Sequence, residues 1–352
     1  QEEEAAQANE KEYTKHSPAK PLYDLKDVDR TLIRFEEISP GQWLPLLEDI
    51  NVRFQPVGHI LGATFIEMDV SGKRLVFSGD IGRDRDFLLH PPKKPERADL
   101  LFIESTYGGR LHGQGNIEEE LRQLIQKTYQ EGGTLIIPSF AVERTQTLMY
   151  LLWQLREKGL LPNMPVYMDS PMGANVLNVF HRSAGWHKLT EEDCNKMCEY
   201  IRTVSSFRET WEIIDNKTPK IVIAGSGMVT GGRVLTYLTK YLNKPETQVL
   251  LVGYQAVGTR GRQLQEGAHE VKIYGKYYPV EAKIVALQGL SAHADQGELL
   301  SWISGIENTP EKVFIVHGEA DAADMLRVRI MDEYGWKCVV PDLYAMEKFD
   351  FN

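Results

Sequence analysis

The apolar positions along the chain fall into two styles. Val52 to Val57, Ala63 to Val70 and Arg74 to Ser78 alternate apolar with polar side chains, and Ser71-Gly72-Lys73 separates the last two. A period of two broken by a glycine turn predicts antiparallel strands. Leu100 to Ile103 is a short apolar strand that ends in Glu104. The pattern then changes. Helical stretches over 117–132, 141–158 and 173–181 alternate with apolar strands at 134–138, 166–169, 220–224 and 248–252. That alternation predicts βαβ units and a mostly parallel sheet. From Val271 the hairpin style returns, with strands over 271–274 and 278–287 and a helix over 296–306. A buried strand at 313–316, a helix over 320–334 and a last strand at 338–340 complete it. The expected class is α/β, with residues 1–108 and 256–352 forming one domain and 109–255 inserted as a second. Residues 1–30 are polar and charged and precede any recognisable core strand.

Composition narrows the field. The 352 residues carry 40 Lys and Arg against 50 Asp and Glu, a net charge of −10. Bulk charge therefore disfavours nucleic-acid binding, and any such contact is expected in a local basic cleft. With 42% apolar and 26% charged residues, the chain is not collagen-like, disordered or a disulfide scaffold. Its apolar runs are too short to span a membrane. Three cysteines (Cys194, Cys198, Cys338) and the lack of a signal-peptide pattern point to a reducing, cytoplasmic setting. Cys194 and Cys198 have no second pair or nearby histidine and read as ordinary helical residues.

Polar residues recur at the ends of apolar strands. His59 follows Val52 to Val57, Asp80 follows Leu75 to Phe77, Glu104 follows Leu100 to Ile103, and His317 follows Val313 to Val316. Strand ends are where α/β folds collect catalytic groups. One carboxylate and two imidazoles suit Zn²⁺ or Mn²⁺. His293 stands just before a helix. A lone histidine of this kind reads as a strand-end cap; several strand ends flanked by Gly or Ser read as a site. In the inserted module, Gly225-Ser226-Gly227, Ser170 and the Ser139–Arg144 turn lie between strands and helices. Such turns either N-cap the helix or bind an anion through backbone N–H groups. Tyr254, Arg260 and Arg262 are expected along a substrate path, and Tyr274, Tyr277 and Tyr278 read as strand packing.

The motifs Gly58-His59-Ile60-Leu61-Gly62-Ala63, Ser78-Gly79-Asp80-Ile81-Gly82-Arg83, Glu104-Ser105-Thr106-Tyr107-Gly108, Ser291-Ala292-His293-Ala294-Asp295 and His317-Gly318-Glu319 occur in the order found in the β-CASP branch of the metallo-β-lactamase superfamily. Together with Pro138 to Arg144 and Gly225 to Met228, they make the chain resemble the RNA-cleaving members, relatives of RNase J and of the pre-mRNA 3′-end endonuclease. The resemblance implies an αββα sandwich with an inserted β-CASP cap. It implies a two-zinc site, with manganese as the alternative, in which His59 and His317 each hold one metal and Asp80 bridges both. Paired metals activate a water and clamp the scissile phosphate. Glu104 then orients His293, which protonates the leaving oxygen as general acid, and a neighbouring carboxylate favours the charged imidazole. Ser226, Gly227, Ser170, Ser139 and Arg144 are the candidate substrate contacts. RNA is the implied partner, with a homodimer as a further expectation.

One departure matters. The family's His-x-His-x-Asp-His signature, expected ahead of His59, is not present; the only earlier histidine is His16. The reading is a lactamase domain without its first part. These 352 residues by themselves are expected to bind zinc weakly and cleave RNA poorly. The alternatives are a non-catalytic scaffold subunit, which retention of His59, Asp80, Glu104, His293 and His317 disfavours, and a small-molecule metallohydrolase, which the cap disfavours.

Overall fold

The computed structural model of the protein describes residues 5–6, 9–10, 18–113 and 115–349; His16 lies outside them. Helix α1 (Leu25–Leu32) starts on an Asp24–Asp27 capping box and buries none of its residues. Strands β1 (Leu44–Leu47), β2 (Ile50–Pro56), β3 (Thr64–Val70) and β4 (Lys73–Phe77) follow as antiparallel neighbours, and β5 (Leu100–Glu104) joins β4 in parallel. Ser71 and Gly72 both take positive φ, 47° and 87°. Two positive φ values in a two-residue loop match the twist of paired strands, which is why a glycine sits there.

The cap begins with α2 (Ile117–Gln130), β6 (Thr134–Pro138), α3 (Arg144–Glu157), β7 (Val166–Asp169) and α4 (Pro171–Arg182). It continues through α5 (Glu191–Tyr200), β8 (Arg202–Thr203), α6 (Phe207–Asp215), β9 (Lys220–Ala224), α7 (Val234–Tyr241), β10 (Gln248–Leu251) and α8 (Arg260–Gln265). A ribbon of β11 (Glu270–Ile273) and β12 (Lys276–Pro279) precedes β13 (Lys283–Ala286). The chain then returns with α9 (Gln296–Ile303), β14 (Lys312–Val316), α10 (Ala320–Tyr334) and β15 (Cys338–Val339).

Two main sheets result. The first runs β1-β2-β3-β4-β5-β14-β15, and the second β13-β10-β6-β9-β7-β8 with parallel pairings throughout. In the cap sheet, successive residues enter opposite cores: Leu135, Ile137, Ile221 and Ile223 pack on one face, Ile136, Val222 and Ala224 on the other. Burial on both faces accounts for the unbroken apolar runs. The first sheet packs Val76, Leu101, Ile103, Val313 and Ile315 against α9 and α10 through Trp302, Ile303, Leu326 and Ile330. Its other face carries a ladder of Phe77, Phe102 and Phe314, with ring centroids 4.5 and 4.6 Å apart.

The strand pairing returns to the first sheet later than residue 256. Strand β13 runs parallel to β10 at the edge of the cap sheet, so the cap's sheet extends to Ala286. The stretch 278–287 is two strands, split after Pro279, which serve different sheets.

Candidate active site

Four strands of the first sheet deliver the chemistry. β2, β4, β5 and β14 run in the same direction, so the residues after them emerge at one end. His59 follows β2 and Asp80 follows β4, while Glu104 closes β5 and His317 follows β14. Glycines allow the turns to nest. A Cβ on Gly82 would stand 2.0 Å from the Gly58 carbonyl oxygen, so the loops carrying His59 and Asp80 touch backbone to backbone. His317 itself has φ of +52°. That conformation is unfavourable for a side-chain-bearing residue and concentrates at functional sites. Its carbonyl accepts from the Ser105 N–H and the Thr106 hydroxyl, which hold the turn in place.

The Asp80 carboxylate lies between two imidazoles. One oxygen is 3.6 Å from His59 Nε2 and the other 3.2 Å from His317 Nε2. The His59 and His293 ring centroids are 4.3 Å apart, and those of His293 and His317 6.4 Å. His59, Asp80 and His293 present potential ligand atoms within 4.8 Å of one another. Burial and the neighbouring His293 push the His59 pKa down to about 4, against the pull of Asp80 and Glu104. His59 is therefore a neutral imidazole at neutral pH, with a lone pair available to a cation.

Glu104 is buried and fully used. One oxygen accepts from the Ile81 N–H at 2.7 Å and from His293 Nδ1 at 3.1 Å; the other accepts from the Thr106 N–H at 3.0 Å. Burial raises its pKa, but the hydrogen bonds from His293, Thr106 and Ile81 outweigh burial and hold it below the usual carboxylate value. Glu104 and His293 are 189 residues apart in the chain. The His293 carbonyl accepts from His112 Nε2 at 2.9 Å, a contact the sequence reading did not foresee. A second group, His112, Asp295 and Glu298, also has close ligand atoms. Its carboxylates are committed to the capping box of α9 and to the N–H groups of His112 and Asp84.

The cap candidates stand at the carboxyl ends of adjacent strands: Ser139 after β6, Ser226 and Gly227 after β9, Ser170 after β7. Ser170 N-caps α4 by accepting from the Gly173 N–H. Ser226 accepts from the N–H groups of Thr230 and Gly231, and the Ser139 hydroxyl sits between Phe140 and Thr145. Gly227 lies so close to the Phe140 ring that a Cβ would be 2.5 Å from it, and its carbonyl accepts from Gln255. Arg144 is the first residue of α3 and is 4% exposed. Arg260 is tied to the carbonyls of Lys272, Val229 and Thr230.

The fold and this centre define a cap-bearing metallo-hydrolase architecture. A Beta-Casp domain model matches residues 145–264, and a model described as a Zn-dependent metallo-hydrolase RNA specificity domain matches residues 277–341. The chain is 33% identical over 313 residues to Ribonuclease TTHA0252 of Thermus thermophilus, covering 86% of this chain and 70% of that one. It is 33% identical over 302 residues to an RNase J-like protein of Methanocaldococcus jannaschii, covering 84% and 70%. To the transcription termination factor FttA of Thermococcus kodakarensis it is 30% identical over 339 residues, covering 92% of this chain and 52% of that protein. The chain belongs to the β-CASP branch of the metallo-β-lactamase superfamily. It spans about half the length of the termination factors and more than two thirds of the other two relatives. No helix among the described residues is long and apolar enough to cross a membrane.

Proposed function

We propose that the protein hydrolyses RNA phosphodiester bonds with a divalent metal, zinc or manganese, and with His293 as general acid. The observation that carries the reading is the buried Glu104–His293 hydrogen bond beside the His59–Asp80–His317 cluster. The donor set fits a borderline cation: a carboxylate flanked by two imidazoles, one of them held neutral by burial. His59, Asp80 and His317 would hold the metal, which when bound lowers the pKa of a coordinated water and offsets phosphate charge.

The chain's own residues supply the rest. The ionised Glu104 accepts from His293 Nδ1, fixing the tautomer and the plane of the ring, with the His112 contact holding the backbone behind it. In hydrolysis the water oxygen bonds to phosphorus and the P–O bond to the leaving oxygen breaks. His293 gives that oxygen its proton, and the proton released by the attacking water goes to solvent, from which His293 is reprotonated. Ser139, Ser170, Ser226, Gly227 and Arg144 are proposed to contact the RNA backbone from the cap. RNA as substrate is supported by relatives named as ribonucleases. A homodimer is proposed as well; Phe77 and Phe102 are only partly buried on one face of the first sheet.

The test incubates labelled single-stranded RNA with the protein and Zn²⁺ or Mn²⁺. Slow cleavage that stops on chelation and in Asp80→Ala is expected. Cleavage indifferent to metal, or RNA neither bound nor cut, overturns the proposal.

A further inference from the structure

Strands β11 and β12 are joined by Tyr274 and Gly275, with φ of 48° and 79°. A two-residue loop with both φ positive favours Asn-Gly or Gly-Gly, and a bulky side chain at its first position is an outlier. Such a conformation is held at a cost, and positions of this kind concentrate at functional sites. Here it sets a tyrosine ring at the tip of the ribbon, where the residue stays 43% exposed.

Of the three tyrosines expected to pack within strands, only Tyr278 does so, against the buried cluster that holds Val271 and Ile273. Tyr277 is 62% exposed. It stands opposite Lys272 in the register, and Lys272 Nζ lies 5.5 Å from its ring centroid. Alternation along the strands gives Val271, Ile273 and Tyr278 to the inner face and leaves Lys272 and Tyr277 in water on the outer one. The fold gains little from these outer side chains.

Charge follows the same pattern. The chain as a whole carries −10, yet over residues 270–279 and their anchor Arg260 three cations, Arg260, Lys272 and Lys276, face one carboxylate, Glu270. Lys276 has no ion-pair partner among the described residues. The ribbon is also fastened to the cap's candidate RNA contacts. Arg260 donates to the Lys272 carbonyl on β11 and to the carbonyls of Val229 and Thr230, and the Thr230 N–H donates to the Ser226 hydroxyl. One side chain thus joins the ribbon to the turn that carries Ser226. Exposed rings beside ammonium groups suit a flexible polyanion whose units have flat faces, because each base can stack while its phosphate meets a cation.

We infer that the β11–β12 ribbon is a stacking platform on the cap for single-stranded RNA, with Tyr274 and Tyr277 against bases and Lys272 and Lys276 against the adjoining phosphates. The inference rests on the ribonuclease reading for its ligand. It adds a contact for the strand that passes Ser226.

The test is binding of single-stranded oligoribonucleotides by fluorescence anisotropy, over a salt series, with the 352-residue protein. Tyr277→Ala is expected to weaken binding about tenfold, the usual worth of one stacked base. Lys276→Gln should reduce the salt slope by about 0.7, the single-strand value for one phosphate. Tyr274→Asn suits the turn better than tyrosine, so it should keep or raise Tm while weakening binding about fivefold. A loss of binding in a protein at least as stable as wild type is not a folding defect, and this variant carries the test should Tyr277→Ala fail to fold by circular dichroism. A set of oligonucleotides with one abasic nucleotide each should contain a position that weakens the wild type and has no further effect on Tyr277→Ala. Binding at the wild-type level in both tyrosine variants, or weakening with no base-sensitive position, overturns the platform and leaves the ribonuclease reading standing. No RNA binding by the wild type overturns both.

Discussion

Replacing Glu143 with glutamine should stabilise the protein, and do so only above acidic pH. Glu143 is the N-cap residue just before α3, at φ of +67°, is 1% exposed, and has one carboxylate oxygen with no hydrogen-bond partner. Burial, with help from Asp86, lifts its pKa from 4.5 to about 8, against the opposing effects of Arg144 and Thr147. The sign follows from proton binding. Between these two values the folded state holds a proton that the unfolded state has released, so stability is fully present below 4.5 and is lost as pH rises towards 8. From pH 5 to pH 7.5 the loss is about 3 kcal/mol at 1.36 kcal/mol per pKa unit. Glutamine keeps the shape and carries no proton to lose. Thermal unfolding of wild type and Glu143→Gln at the two pH values measures the gap directly, and taking the difference at each pH cancels every other titrating group. The gap should widen in favour of the variant by about 3 kcal/mol, roughly 6–12 °C in Tm for a domain of this size. A gap that stays constant between the two pH values would show that Glu143 ionises normally and refute the argument.

His59 should give the opposite slope in metal-free protein: its pKa, lowered by burial to about 4 from 6.5, costs about 3 kcal/mol as pH falls through that window. Urea midpoints at pH 7 and pH 4 for wild type and His59→Asn check it, the variant showing the shallower dependence. In metal-loaded enzyme, His293→Ala should cut turnover about 10²–10⁴-fold and keep the metal, whereas Asp80→Ala should lose both; equal metal loss by elemental analysis would place His293 among the ligands. Gly82→Ala should destabilise by about 1–3 kcal/mol and disturb the His59 loop, since its Cβ meets the Gly58 carbonyl at 2.0 Å. Unfolding with an unchanged midpoint would show that the two loops move apart freely.

What could be read ahead of the structure was local. The glycine-flanked strand ends at His59, Asp80 and His317 announce themselves because each turn must be tight where a side chain is to be aimed. The partnership of Glu104 with His293 came through family resemblance; nothing across a separation of 189 residues signals it. Strand β13 shows the limit of periodicity. An apolar–polar alternation over 278–287 is the same whether the strand edges one sheet or the other, and the choice rests on pairing with β10. Helix α5, by contrast, carries a readable Thr190–Asp193 capping box, masked by its otherwise polar composition. The burial of Arg144 is invisible in sequence, because a charged residue in a helix's first turn reads as solvent-facing until a second domain closes over it.

The parallel pairing of β5 with β14 has a consequence in time. Ser105, just past β5, and Val316, at the end of β14, are 211 residues apart and joined by a hydrogen bond. A ribosome adding about 5–20 residues per second separates their emergence by roughly 10–40 s. Throughout that interval Leu100–Glu104 has its second edge open, an apolar strand in water with the cap still being made. The nascent chain therefore passes through a long-lived species whose hazard is edge-to-edge association, and the residues that finish the catalytic cleft are the same ones that end it.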